Sequence, residues 1–225
     1  MLLTASAGLL AALISICGAY PLGRHGLHFF PGAAFGAIIS GCFALRRYLR
    51  DVWKAIAVTA TSTFAYYASM QTAAGVELYS PFGLRQREDA TVSGAALFAG
   101  GLVGAFLVLC AVILLLDSDT TFRHRVLKSL YWSPVGGVLG IVGWALGPSL
   151  GMALWSVFHS MGLTVPGETF QNALYGQTSH VYSLWVVWQI GLGFVLGLVL
   201  RGPAKVRSEL PASSTIPSIR HYMDD

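Results

Sequence analysis

Apolar residues gather into six long runs separated by short polar segments: about Leu2 to Tyr20, Phe30 to Leu45, Val52 to Ala74, Val92 to Leu116, Pro134 to Phe158 and Tyr182 to Leu200. A helix needs about 20 mostly apolar residues to cross the hydrocarbon core of a bilayer, and each run approaches that length. The pattern predicts an all-α fold, a polytopic membrane helix bundle of six transmembrane helices over residues 1–201. The Pro-, Ser- and charge-rich remainder, 202–225, is expected to be a disordered tail. The first run lacks the basic leader of a signal peptide, and Ile16 rather than a small residue precedes Cys17. It is therefore expected to be a retained helix.

Inside the runs the regular feature is glycine. In the fifth run Gly136, Gly140, Gly143, Gly147 and Gly151 are four, three, four and four residues apart, which at 100° per residue puts them on one helix stripe. GxxxG pairs recur at Gly32 and Gly36, Gly100 and Gly104, and Gly193 and Gly197. Glycine is a poor helix former in water, but between membrane helices it lets backbones approach closely. A glycine zipper is the expected device for helix packing. Pro148 in the same run predicts a kink unless a neighbour satisfies the carbonyl it frees, so Gly147 and Pro148 form a candidate hinge.

Charge sets the orientation. Arg46, Arg47, Arg50, Lys54, Arg123, Arg125, Lys128, Arg201, Lys205, Arg207 and Arg220 fall on one side of the six runs, and only Arg24, Arg85 and Arg87 on the other. The positive-inside rule then puts both termini in the cytoplasm, in a bacterial-type inner membrane. Tyr20, Phe29, Phe30, Tyr48, Trp53, Tyr131, Trp132, Tyr182 and Trp185 sit near run ends, where interfacial aromatic belts occur. With 55% hydrophobic and 11% charged residues and a mean hydropathy of +0.64, the composition agrees. The net charge of +4 is scattered beside apolar runs, so no nucleic-acid partner is expected. The expected partners are the lipid bilayer and, through glycine faces, another membrane protein or a second copy of the chain.

An aromatic-proline-glycine sequence opens the second run (Phe29, Phe30, Pro31, Gly32) and the fifth (Tyr131, Trp132, Pro134, Gly136). This is a faint 3+3 echo of the kind found in inverted-repeat transporters. Candidate chemistry is sparse. Thr59, Ser62, Thr63, Tyr66 and Ser69 share one side of the third run and Gln189 lies in the sixth, so Thr59, Ser62, Thr63, Tyr66 and Gln189 are the candidate lining of a path for a small polar or neutral solute. The competing reading is hydrogen bonding to neighbouring helices or to the backbone four residues back. No charge falls near the middle of any run, which disfavours a carboxylate proton relay.

His25, His28, His159 and His180 map to the outer side and are the candidate metal ligands, for Zn²⁺ or Cu²⁺, though none has the i, i+4 spacing of a helical metal motif. Haem would need histidines deeper in the runs. The cofactor is otherwise open. Cys17, Cys42 and Cys110 have no paired spacing and read as packing residues. HExxH and Walker sequences are absent from the chain, so a catalytic role is not expected and no catalytic residue is assigned. The expected function is a small-solute channel or transporter in which the kinked fifth helix rocks against the polar stripe of the third. The alternatives are an accessory membrane subunit, or a membrane enzyme or metal-binding protein with an outer histidine cluster.

Overall fold

The computed structural model describes residues 1–19, 23–45, 51–79, 92–117, 121–160 and 177–200, and only the backbone at 19, 23–28, 78–79, 155, 158 and 177–179. These residues form seven helices and no strand. In chain order they are α1 (Leu2–Ala19), α2 (Gly23–Leu45), α3 (Val52–Tyr79), α4 (Gly94–Leu116), α5 (Phe122–Ala145), α6 (Gly147–Ser160) and α7 (Gln177–Val199). Three contain stretches long and apolar enough to cross a membrane: Gly94–Leu116, Phe122–Ala145 and His180–Val199.

Helices and apolar runs do not coincide. The fifth helix begins at Phe122, twelve residues before the run does, because Thr121 caps it by accepting from His124 N and nothing in Arg123 to Lys128 forbids helix. Arg123, Arg125 and Lys128 therefore lie on the first turns of α5 rather than in a connection. Pro31 and Pro134 are both inside helices, so neither opens one, and the sequence echo built on proline-led helix starts loses its basis. A proline inside a helix orphans the carbonyl four residues back. For Pro134 that is Leu130 O, and Ser133 Oγ donates to it at 2.8 Å.

Each of α1 to α4 packs on its successor, and α7 packs on both α5 and α1, closing a ring of six helices; α6 packs on α7. The glycines mark where the backbones come closest. A Cβ on Gly136 would lie 2.5 Å from Gly101 O, one on Gly140 2.7 Å from Leu97 O, and one on Gly143 2.8 Å from Leu184 Cα. The stripe thus faces α4 over its first half and α7 over its second. Gly32 and Gly36 approach Ser62 and Thr59 of α3, Gly100 and Gly104 approach Ser69, and Gly193 meets Thr4 of α1.

Large apolar side chains such as Leu10, Ile14, Phe64, Leu130, Val138, Ile141 and Phe194 are exposed, while Ser15, Ser62, Ser129, Ser133, Ser183 and Gln189 are buried. A water-soluble bundle does the reverse. Together with the three long apolar helices, this points to a membrane protein. Trp53 and Tyr131 are exposed, but Tyr182 and Trp185 are buried among other helices and do not belong to a surface belt.

Polar ties cluster at the helix ends. Asp117 caps α4 and meets Lys128 of α5 at 3.5 Å, and Arg125 donates to Leu114 O, one of the last-turn carbonyls a helix leaves unpaired. At the opposite end Glu77 of α3 accepts from Ser93 N, and Ser93 caps α4.

Candidate functional site

Inside the ring the two halves differ. Toward the α4–α5 connection the interior is filled by Phe35, Ile39, Phe43, Leu109, Ile113, Leu192 and Leu196, all fully buried. Toward the opposite end, where α3 and α5 finish and α4 and α7 begin, there is a cavity of about 200 Å³. Its aromatic walls are Tyr66, Trp144, Trp185 and Trp188, with Ser69 and Met70 of α3 beside them and Gln189 also on its lining. Among the described residues no charged side chain lines it.

The helices position these groups by simple spacing. Tyr182, Trp185 and Trp188 are three residues apart on α7 and fall on neighbouring positions of one face, with Gln189 next to them. The Trp185 indole donates to the Tyr66 hydroxyl, joining α7 to α3. Gly104 leaves room for Trp188, whose ring a Cβ there would meet at 3.2 Å. Gln189 is 1% exposed; its Nε2 donates to Ser15 Oγ at 3.3 Å and to Pro31 O at 3.4 Å. Pro31 O can only accept, so the amide nitrogen must face it. Gln189 Oε1 is then left without a partner, as is the indole Nε1 of Trp188, itself 9% exposed.

The wall residue Trp144 stands at the break between α5 and α6. Pro148 frees its carbonyl, and His180 Nδ1 lies 2.8 Å from that oxygen while the His180 ring stacks on the indole at 4.8 Å. A carbonyl only accepts, so Nδ1 carries a hydrogen. Gly147 makes the approach possible, since a Cβ there would run into the imidazole. Replacing His180 by alanine is expected to lower stability by about 1 kcal/mol, the cost of a part-buried carbonyl left unpaired. Thermal unfolding in detergent checks this, with His180→Asn restoring part of the loss.

The residues singled out from sequence separate here. Tyr66 and Gln189 line the cavity, as does Ser69. Thr59 and Thr63 donate to carbonyls one turn back on their own helix, and Thr59 lies on an outer groove between α2 and α3. Ser62 is buried under Gly36. The third helix fans its polar residues over two interfaces, because Ser62 faces α2 and Ser69 faces α4. The fifth helix makes no contact with the third; α4 stands between them, so rocking of one directly against the other has no interface to act on. Gly151 is buried in α6.

Of the histidines, His180 is committed to Trp144 and His159 lies in the last turn of α6, whereas the side chains of His25 and His28 lie outside those described. Among the described residues no three His, Cys, Asp or Glu side chains come together. Trp144 and Trp188 were not singled out in the sequence. The signal for Trp188 was its three-residue spacing from Trp185, beside the only glutamine within the apolar stretch of α7.

No protein-family model matches the chain, and neither a curated protein nor a solved structure matches it. The functional reading therefore rests on the site.

Proposed function

We propose that this protein is a six-span membrane carrier for a small neutral solute, with both termini in the cytoplasm of a bacterial-type inner membrane. The observation that carries the reading is the division of the ring's interior. One half holds a cavity with Gln189 and four aromatic side chains on its lining, and the other half is packed solid with Phe35, Phe43, Leu109 and their neighbours. A cavity sealed at one end suits alternating access better than an open channel. The loop charges put the cavity on the outer side, so this arrangement is the outward-facing one.

Movement is assigned to the α5–α6 break. The hinge at Gly147 and Pro148 lies three residues beyond Trp144, so a change of angle there shifts a cavity wall against Trp185 and Trp188 of α7 rather than against α3. Hinges of this kind absorb large backbone changes over few residues. The test is a flux screen with the full chain in proteoliposomes and a panel of small neutral solutes. Saturable flux of one solute class supports the carrier. Absence of flux for every solute in protein of verified fold would overturn it.

A second reading is favoured by one observation. The outer groove between α2 and α3 is lined by Ala37, Ser40, Gly41, Ala44, Ala55, Ile56, Thr59 and Ala60, and Gly41 has nothing within 4 Å of an added Cβ. Small residues on an exterior face suit the approach of another membrane helix, from a partner subunit or a second copy of this chain.

A further inference from the structure

We infer that the outward face of α5 is a docking site for an anionic phospholipid, its phosphate held at Arg123 and one acyl chain laid along the helix beyond it. The inference goes beyond the carrier reading and needs only that α5 lies in a bilayer. It starts from how α5 divides its residues. Ser129, Ser133, Gly136, Gly137, Gly140 and Gly143 are its buried positions, and the other side exposes Leu127, Leu130, Tyr131, Val138 and Ile141 by 40% to 77%. At 100° per residue those five fall within a sector of about 100°. Arg123, in the first turn, falls in the same sector.

The basic groups divide in the same way. Lys128 meets Asp117 at 3.5 Å and Arg125 donates to Leu114 O, so both are tied to α4. Lys54 of α3 pairs with Asp51 at 3.2 Å. Arg123 and His124 are exposed on the lipid side, and among the described residues neither side chain has an acidic or hydrogen-bonding partner. They do not serve the helix, whose first turn disfavours cations. An anion suits them: a guanidinium grips a phosphate through two parallel N–H bonds, and the imidazole beside it can donate a further one.

Charge alone would suit free phosphate as well as a phospholipid. The apolar stripe decides for the lipid. At 1.5 Å per residue Leu127 lies about 6 Å along the axis from Arg123, and the stripe from Leu127 to Val138 runs about 16 Å. One leaflet is about half of a hydrocarbon core roughly 30 Å thick, so a headgroup at Arg123 lays its chain along a stripe of matching depth. Tyr131, 77% exposed and edge-on to Trp132 with ring centroids 5.6 Å apart, is of the residue type that favours the headgroup boundary.

The experiment is native mass spectrometry of the full-length protein in detergent, titrated with dioleoylphosphatidylglycerol, dioleoylphosphatidylcholine and inorganic phosphate. The two lipids share their chains and differ in net charge, and phosphate carries charge without chains. The anionic lipid is expected to bind at least about fivefold more tightly than the zwitterionic one, the worth of one cation beside an anionic headgroup, and phosphate at equal concentration is expected not to displace it. In Arg123→Gln the preference is expected to fall below about twofold. Lys54→Gln, which removes a cation already paired with Asp51, is expected to keep it.

Equal binding of the two lipids, an unchanged preference in Arg123→Gln, the same loss in Lys54→Gln, or displacement by phosphate would overturn the inference. If Arg123→Gln does not fold, the three probes on the unaltered protein decide alone. A failed flux screen would overturn the carrier and leave the lipid site standing, and loss of the lipid preference would leave the carrier untouched.

Discussion

Gly136→Val is expected to abolish accumulation of folded protein, while Gly75→Ala leaves it unchanged or slightly raised. A Cβ at Gly136 would sit 2.5 Å from the carbonyl oxygen of Gly101 and against the Ala105 methyl, and a backbone carbonyl cannot rotate away as a side chain can. The helices would have to separate along their whole contact. Overpacking a core by a methylene or two already costs about 1–3 kcal/mol, and here α4 would also lose its close contacts at Gly101 and Leu97. Folded domains have only about 5–15 kcal/mol in total. Gly75 has nothing within 4 Å of an added Cβ, so alanine there gains up to about 1 kcal/mol of helix propensity. Size-exclusion profiles and melting temperatures of the two variants read the difference. Equal behaviour would remove the case for close packing at the α4–α5 interface.

Gln189→Leu is expected to leave the fold nearly intact and remove flux. The amide joins α7 to α1 and α2 through Ser15 Oγ and Pro31 O, and interhelical hydrogen bonds in membranes are worth about 0.6–2 kcal/mol. Leucine matches its volume and needs no partner, so the stability loss should not exceed about 2 kcal/mol. Gln189 is, however, the amide on the cavity lining, and loss of that polar group predicts at least about a tenfold fall in flux at subsaturating concentration. A melting temperature within a few degrees of the unaltered protein with flux gone fits this account. Unchanged flux would place the solute elsewhere.

These two residues also mark how far the sequence could be read. The helical class followed from the apolar runs, because a 20-residue stretch without charge has few other uses. The glycine stripe was visible as a spacing, but its division between α4 and α7 was not, since periodicity names a face and never what lies against it. Helix ends were misread wherever capping outweighed hydropathy, as at Thr121, or where a proline sits inside a helix, as at Pro31 and Pro134. Gln189 and Tyr66 stood out as polar residues in apolar surroundings, and both line the cavity. Thr59 and Thr63 stood out equally, and they spend their hydroxyls on their own backbone. Hydroxyl side chains can satisfy themselves locally and a glutamine cannot do so as easily, so the amide was the more informative signal. The aromatic walls were legible only in part, because tryptophan near the end of an apolar run fits both a belt and a cavity.

The account depends on the ring crossing a bilayer with the cavity open to the outside. The most direct test is labelling of single cysteines, introduced in a chain freed of Cys17, Cys42 and Cys110, with a maleimide that cannot cross membranes. Cysteine at Gln86 and at Thr169 should react in intact cells, and cysteine at Ser118 and at Ser208 only after the membrane is opened. Reaction of Ser118→Cys or Ser208→Cys from outside, or equal reaction of all four positions before and after lysis, would contradict it.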